Sequence, residues 1–535
     1  MKAYLLHEGK DFDWRREEFW NERTLVQDLE LNTLYKVMAA GDEYLFDIAK
    51  KVLPLSLSDV DEILYRQAVL GDCIAHEDVA RQIYAIAVEA IAAERKSFYW
   101  GVTSSPSGIL HGARDLVQTF SGILERLRRL ADDNVGRFES PGFRRFFAML
   151  REELTDDYFI TITRCLKEIR FSGGVLISAR PGRGNKGEHY VLRKPHEKDP
   201  NLFRRMFAKR PPSRTFRIAD RDENGARALG ELEARGINHV ANALAQSADH
   251  IKSFFSMLSL ELGFYLGCLN LRNELVRRGM PVCFPVPHTV GERRHRYHGL
   301  YDVNLALRME QAPVGNDADA NGKDLVVVTG ANQGGKSTFL RSIGIAQILL
   351  QAGVFVGAGE FEANAAQAIF THYKREEDSS MRGGKFDEEL RRMTEIVDHM
   401  VANALFLSNE SFASTNEREG SDIGRQILDA LLEHHVKIFF VTHLYSLAHE
   451  LHEHEKFPSM FLRAERRDDG VRTFRLIEAE PLQTSFGQDL YLQIFGEDAA
   501  PEPGAIAPVP GSPGAGVPED APAVPGEEQS VDGRR

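Results

Sequence analysis

Apolar residues recur at spacings of four and three from Ile237 through Ala241, Leu244, Ala248, Ile251, Phe255, Leu258, Leu262 and Tyr265 to Leu269, without a slip. A seam held at that period predicts one long helix packed along others. At 1.5 Å of rise per residue it spans roughly 50 Å. Such a rod suits a lever that carries motion between distant sites, and equally a static bundle helix. Upstream, amphipathic spacing predicts helices over residues 42–53, 58–70, 76–93, 109–131 and 143–153. Pro54 ends the first, and Ser58 with the acidic turn after it opens the second. From residue 173 the period shortens to two. Residues 175–179 and 189–192 read as strands of a β-hairpin joined by a Gly-rich loop. Downstream of the seam the prolines at 281, 285 and 287 mark a boundary, and residues 290–299 read as a polar connector. Short apolar runs at 324–329, 404–410 and 436–443 then alternate with helical patterns at 338–350, 386–399 and 421–434. That alternation predicts a mainly parallel sheet covered on both faces.

The expected organisation is therefore a helical region over 1–172, a hairpin and basic segment over 173–222, and the long helix returning over 223–288. An α/β domain over 289–497 follows, and then a Pro-, Gly- and Ala-rich tail over 498–535 that cannot offset the entropy of ordering. A chain of 535 residues, 43% hydrophobic and 27% charged, has the composition of a soluble protein with sizeable cores. The four cysteines lie far apart, which suits a reducing cytoplasm and gives neither a zinc site nor a disulfide framework. No stretch approaches the ~20 apolar residues of a membrane span. The net charge of −13 argues against a wholly basic nucleic-acid binder. Between residues 180 and 217, however, the sign reverses, with Arg180, Arg183, Lys186, Arg193, Lys194, Arg204 and Arg205 among twelve basic residues against Glu188, Glu197 and Asp199. This segment suits either the phosphates of DNA or a solvated basic loop.

The sharpest chemical signal is Gly330-Ala331-Asn332-Gln333-Gly334-Gly335-Lys336-Ser337, followed by Thr338, with a strand before it and a helix after it. Glycines there let backbone N–H groups turn onto phosphate oxygens at a helix N-terminus. Lys336 is expected to reach the β- and γ-phosphates of ATP and Ser337 to sit on Mg²⁺. Hydrolysis also needs a metal holder and a base at the end of a buried strand. Here that position reads Asn409-Glu410. Glu410 is placed to accept a proton from water. Asn409 offers an oxygen to the metal without the charge of an aspartate. Two outcomes stand: a slow ATPase, or a nucleotide-binding switch with little turnover. His443, after the next strand, is either a γ-phosphate sensor or a structural histidine.

These motifs, together with Ser414-Thr-Asn-Glu-Arg-Glu-Gly420 and Val441-Thr-His-Leu-Tyr-Ser-Leu447, resemble the ATPase domain of MutS-type DNA mismatch-repair proteins. More weakly, residues 54–66 and the seam helix resemble that family's helical core and levers. The resemblance implies an α/β P-loop (ABC-like) ATPase domain with a parallel-rich sheet, preceded by a mainly α-helical core and lever domain with a small β-hairpin insertion. It implies a homodimer joined through the ATPase domains, with DNA and other repair proteins as partners. By motif match Lys336 and Ser337 hold nucleotide and Mg²⁺, Glu410 is the base and His443 the switch.

Three departures stand out. Asn409 replaces the family's aspartate. Arg382-Gly-Gly-Lys-Phe386 stands where the family has a Ser-Thr pair, with Lys385 as the candidate substitute. The N-terminal mismatch-reading domain is expected to be missing, because there is no room for it before the helical core and no Phe-x-Glu reader stands in its place; Phe138-Glu139 and Phe361-Glu362 do not have that spacing. The leading function is a MutS-like, DNA-binding ATPase, and the alternative is a nucleotide-gated switch that grips a protein. A transporter ATPase is disfavoured, since no Leu-Ser-Gly-Gly-Gln signature is present.

Overall fold

Helices fill the first third of the chain, and those beginning at Glu43, Val60, Pro106, Pro141 and Asp156 are each opened by a side chain that takes an orphan N–H group. A computed structural model of the protein describes residues 1–98, 105–172, 174–194, 214–331, 333–375, 384–467 and 472–483. Within them lie α1 (Glu22–Asp28), α2 (Leu31–Ala39), α3 (Glu43–Val52), α4 (Val60–Ala75), α5 (Glu77–Phe98), α6 (Pro106–Asn134), α7 (Pro141–Glu153) and α8 (Asp156–Glu168). Asp42, Ser140 and Thr155 cap α3, α7 and α8. The cap of α4 is Asp59 rather than the expected Ser58, its carboxylate taking the N–H of Asp61 at 2.9 Å.

The hairpin forms as β1 (Ile177–Pro181) and β2 (Gly187–Leu192), antiparallel, with Ile177 opposite Leu192. Then comes α9 (Glu223–Arg277), 55 residues long and so about 80 Å from end to end. Every seam residue from Ile237 to Leu269 is buried except Leu244, which is half-buried. The extra length lies mostly at the N-terminal end, whose polar turns carry no seam. An 18-residue window of α9 has mean hydropathy 1.4, enough by composition to cross a bilayer. The expectation that no stretch is so apolar is thereby corrected. That window is 83% buried inside the protein, and its hydropathy belongs to a core helix.

The second half holds β3 (Val286–His288), β4 (His295–Leu300), α10 (Val303–Arg308), β5 (Asn316–Asp319), β6 (Leu325–Thr329), α11 (Lys336–Gln351), β7 (Glu360–Asn364), β8 (Ile369–Tyr373), α12 (Lys385–Asp398), β9 (Leu405–Asn409), α13 (Glu417–Glu433), β10 (Lys437–Val441), α14 (Tyr445–Glu453), β11 (Ser459–Arg466) and β12 (Arg472–Glu478). The second half of the expected polar connector at 290–299 is instead β4. His295 and Tyr297 point inward between the outward Arg296 and His298, so the strand period was hidden in polar residue types. The strands make two sheets, one ordered β3-β7-β4-β5 and one ordered β12-β11-β6-β10-β9-β8. In the larger sheet all neighbours are parallel except the β11–β12 pair.

The parallel strands bury both faces, which is why they read as unbroken apolar runs. Val326, Val328, Leu405, Leu407, Phe439 and Val441 face one core, shared with the helices, and Leu325, Val327, Phe406, Ile438 and Phe440 face a second. The edge strand β8 is covered by the N-terminal segment. Asn21 Nδ2 donates to the carbonyl of Ile369 at 2.8 Å, and the Trp20 ring lies 6.3 Å from that of Phe370.

Candidate nucleotide-binding site

Parallel strands gather their carboxyl ends on one rim, where ligands bind in open α/β sheets. Register makes this concrete: Val328, Val441 and Asn409 lie level across β6, β10 and β9. The residues just past them, Gly330, His443 and Glu410, therefore converge. Gly330 has φ +116°, and a Cβ there would lie 2.9 Å from the backbone nitrogen of Ala464, so only glycine fits. Gln333 is left-handed at φ 61° and Gly335 at φ 91°, turning the loop into the N-terminus of α11. Asn332, also named as a nucleotide contact, lies outside the described residues.

Lys336 is buried, and burial lowers its pKa while the charge of Glu410 raises it. Its Nζ donates to the carbonyls of Gly330 and Ala331, both at 3.0 Å. The ammonium is thus held by the loop's own backbone. Ser337 Oγ donates to Asn409 Oδ1 at 2.9 Å. These two neutral oxygens fit an Mg²⁺ ion whose remaining ligands are phosphate and water. Glu410 leaves β9 in the left-handed region, φ 55°, a conformation that costs on the order of 1–3 kcal/mol for a non-glycine residue. Its N–H is fixed to the carbonyl of Val441 at 2.8 Å. This turn sends the Glu410 side chain into the pocket. His443 Nδ1 lies 3.9 Å from Glu410 Oε2, within ion-pair reach but too far for a hydrogen bond.

The pocket encloses about 490 Å³ and is lined by Gln333 through Phe339, by Glu410, and by a wall that sequence reasoning missed. That wall is Tyr301, Asp302, Leu305 and Met309 on and around α10, with Val314 and Phe474. Asp302 is the N-cap of α10, accepting the N–H of Leu305, and also takes the guanidinium of Arg341 from α11 at 2.6 Å. An aspartate before an amphipathic six-residue run was the available signal. Phe474 gave none: it is a half-exposed aromatic in left-handed backbone at φ 58°.

Behind the site, His372 Nδ1 and Ser411 Oγ lie 2.6 Å apart, and Ser411 donates to the carbonyl of His372. Burial lowers the His372 pKa to about 3, so the ring is neutral. Ser414 donates to Glu389 at 3.0 Å, and Asn416 caps α13 by accepting the N–H of Glu419. The segment expected at a second subunit is thus preorganised at the start of α13.

The basic candidates lie elsewhere, on the hairpin. Arg180, Arg183, Lys186, Arg193 and Lys194 are all exposed. Arg193 Nε donates to Ser178 and Lys194 pairs with Glu168 at 3.1 Å. Arg180, Arg183 and Lys186 have no ion-pair partner among the described residues. Arg204 and Arg205, like Arg382 and the tail over 498–535, fall outside those residues.

A model of the MutS2 N-terminal domain matches residues 58–278, and a model of MutS domain V matches residues 326–494. The chain belongs to the MutS family. Among curated MutS relatives, the DNA mismatch repair protein MutS of Prochlorococcus marinus (strain MIT 9301) is 22% identical over 369 residues, 68% of this chain and 38% of that protein. The DNA mismatch repair protein MutS of Leptospira interrogans (serovar Lai) is 29% identical over 192 residues, 36% of this chain and 22% of that one. MutS protein homolog 4 of Mus musculus is 30% identical over 151 residues, 28% and 16% respectively. The chain therefore spans between 16% and 38% of the length of these MutS proteins. The MutS domain V match holds the phosphate loop, Asn409, Glu410 and His443. Residues 1–57 and the wall helix α10 lie outside both matched stretches.

Proposed function

We propose that this chain binds ATP with Mg²⁺, hydrolyses it slowly, and passes its nucleotide state along α9 to a hairpin that holds DNA during repair or recombination. The observation that carries the reading is the 2.9 Å contact between Ser337 and Asn409 in the rim that also carries Glu410. On binding, Lys336 exchanges the carbonyls of Gly330 and Ala331 for phosphate oxygens, which compensates the desolvated ammonium. Ser337 and Asn409 hold Mg²⁺, which supplies charge neutralisation at the phosphates. Glu410 takes the proton of the attacking water, and His443, 3.9 Å away, senses the phosphate through Glu410. Phe474 and Met309 offer the apolar surface for the base. Two copies meet through their ATPase domains, each presenting the Ser414-Thr-Asn-Glu segment to the other. In this reading the chain works in the cytoplasm, which its four free cysteines suit.

Asn409 favours slow turnover and keeps a second reading in play, a switch that grips a protein rather than DNA. Turnover measured with homoduplex, mismatched and branched DNA separates the two. Stimulation by any of them, lost in Glu410→Gln, supports the ATPase on DNA. Absence of stimulation by all three overturns the DNA half of the reading.

A further inference from the structure

The six-residue wall helix α10 is held at both ends by different parts of the molecule. At its N-terminus, Asp302 is bound by Arg341 of α11, the helix that begins in the phosphate loop. At its C-terminus the carbonyls of Ala306 and Met309 lack helical partners, as the last carbonyls of any helix do. Both are taken by one residue. Arg278 Nη1 donates to Ala306 at 3.1 Å and to Met309 at 2.9 Å. Arg278 is the residue immediately after α9, and its N–H closes the last turn of that helix on the carbonyl of Glu274. Its Nε is fixed by the Glu274 carboxylate at 2.6 Å, one turn back on α9. The shared pairing with Arg277 and Arg278 holds the Glu274 carboxyl at about 2, below the usual range. The fork is therefore preorganised, with one arm on the long helix and one on the pocket wall.

We propose that Arg278 is a positioning residue that joins the nucleotide pocket to α9, so that movement of the α10 wall on nucleotide binding is delivered to the C-terminal end of the long helix. The geometry leaves little slack. Met309 lines the pocket and gives its carbonyl to Arg278. Arg341 fixes the opposite end of α10 to the phosphate-loop helix, so the wall pivots between the two arginines. Asn304 Nδ2, donating to the carbonyl of Leu29 at 2.8 Å, holds the first turn of α10 against the N-terminal segment. Displacement at the C-terminal end then acts on Arg278. The inference rests on the nucleotide reading above but does not require DNA.

The test is hydrogen–deuterium exchange on the full chain, with and without saturating Mg²⁺ and a non-hydrolysable ATP analogue. In the wild type, nucleotide is expected to slow exchange over residues 300–314 and to alter it over residues 223–250. In Arg278→Gln the pocket stays protected at saturation, with affinity lowered roughly 2- to 10-fold by the lost hydrogen bonds, while the change over 223–250 disappears. Glu274→Gln, which frees the fork without removing it, diminishes the remote change and serves if Arg278→Gln folds poorly. A remote change that survives in both variants overturns the proposal. Pocket protection with no remote change in the wild type overturns it too and leaves the nucleotide reading intact. Absence of pocket protection in the wild type brings down the nucleotide reading, and this inference with it.

Discussion

Ser337 Oγ donates its hydrogen to Asn409 Oδ1 across 2.9 Å, joining the phosphate-loop helix to the end of β9 without a formal charge. A carboxylate in place of the amide makes the same contact charge-assisted and gives a divalent ion a stronger ligand. Asn409→Asp is therefore expected to lower the Mg²⁺ concentration for half-maximal turnover at least about fivefold, from ~1 kcal/mol of added interaction. A titration of turnover against Mg²⁺ checks this, and an unchanged midpoint would place the ion elsewhere.

Glu410 owes its place in the pocket to a left-handed backbone that the fold sustains at a cost. Glu410→Gln keeps shape and removes the base. Single-turnover hydrolysis should fall roughly 10²- to 10⁴-fold, with the affinity for ATP kept. Hydrolysis within twofold of wild type would remove Glu410 from the base role.

The hairpin tip offers Arg180, Arg183 and Lys186 to solvent. If each neutralises one DNA phosphate, changing all three to glutamine should flatten the plot of log K against log salt by about 3, since each contact contributes ~0.9. Binding of a duplex at several salt concentrations measures the slope. The same slope in the triple variant would move the DNA contact off the hairpin.

Glu261 is a buried carboxyl on α9, and burial raises its pKa to about 8 although it accepts the N–H of Leu5 at 2.7 Å. Its folded pKa lies above the ordinary glutamate value of 4.5. The folded chain therefore holds this proton while the unfolded chain has lost it, and stability falls as pH rises from about 4.5 to about 8. His7, lowered to about 4, acts in the opposite sense below 6.5, and Lys437, lowered to about 7, does so above that value. The clean observable is the difference between Glu261→Gln and the wild type. The variant should gain on the wild type with rising pH, by at most ~1.4 kcal/mol per unit. Denaturant melts at pH 5, 6.5 and 8 supply that difference, and a constant one would mean that Glu261 is ionised in the fold.

The sequence showed the long helix, the parallel strands and the phosphate loop because each rests on a strong local pattern: seven-residue periodicity, apolar runs closed on both faces, glycines at fixed offsets. Lys336, Ser337, Asn409 and Glu410 are legible from the phosphate-loop and strand-end motifs and meet at one rim, since register alone brings strand ends together. The other wall of the pocket was not legible. Asp302 meets Arg341 across 39 residues of chain, and Arg278 meets Met309 across 31, so no periodicity reports either pair. β4 was missed for another reason. Its inward positions are His295 and Tyr297, whose aromatic rings pack against Phe361 while their polar atoms disguise the alternation.

The cover over β8 has a consequence for how this molecule can be divided. A strand at the end of a sheet presents unpaired backbone groups to any other chain, and here Asn21 and Trp20, more than 300 positions upstream in the sequence, shield that row. A polypeptide starting at the phosphate-loop strand would keep Lys336, Ser337, Asn409 and Glu410 and lose this shield. Such a fragment should self-associate along β8, so that edge stays closed to other chains only while the N-terminal segment lies across it.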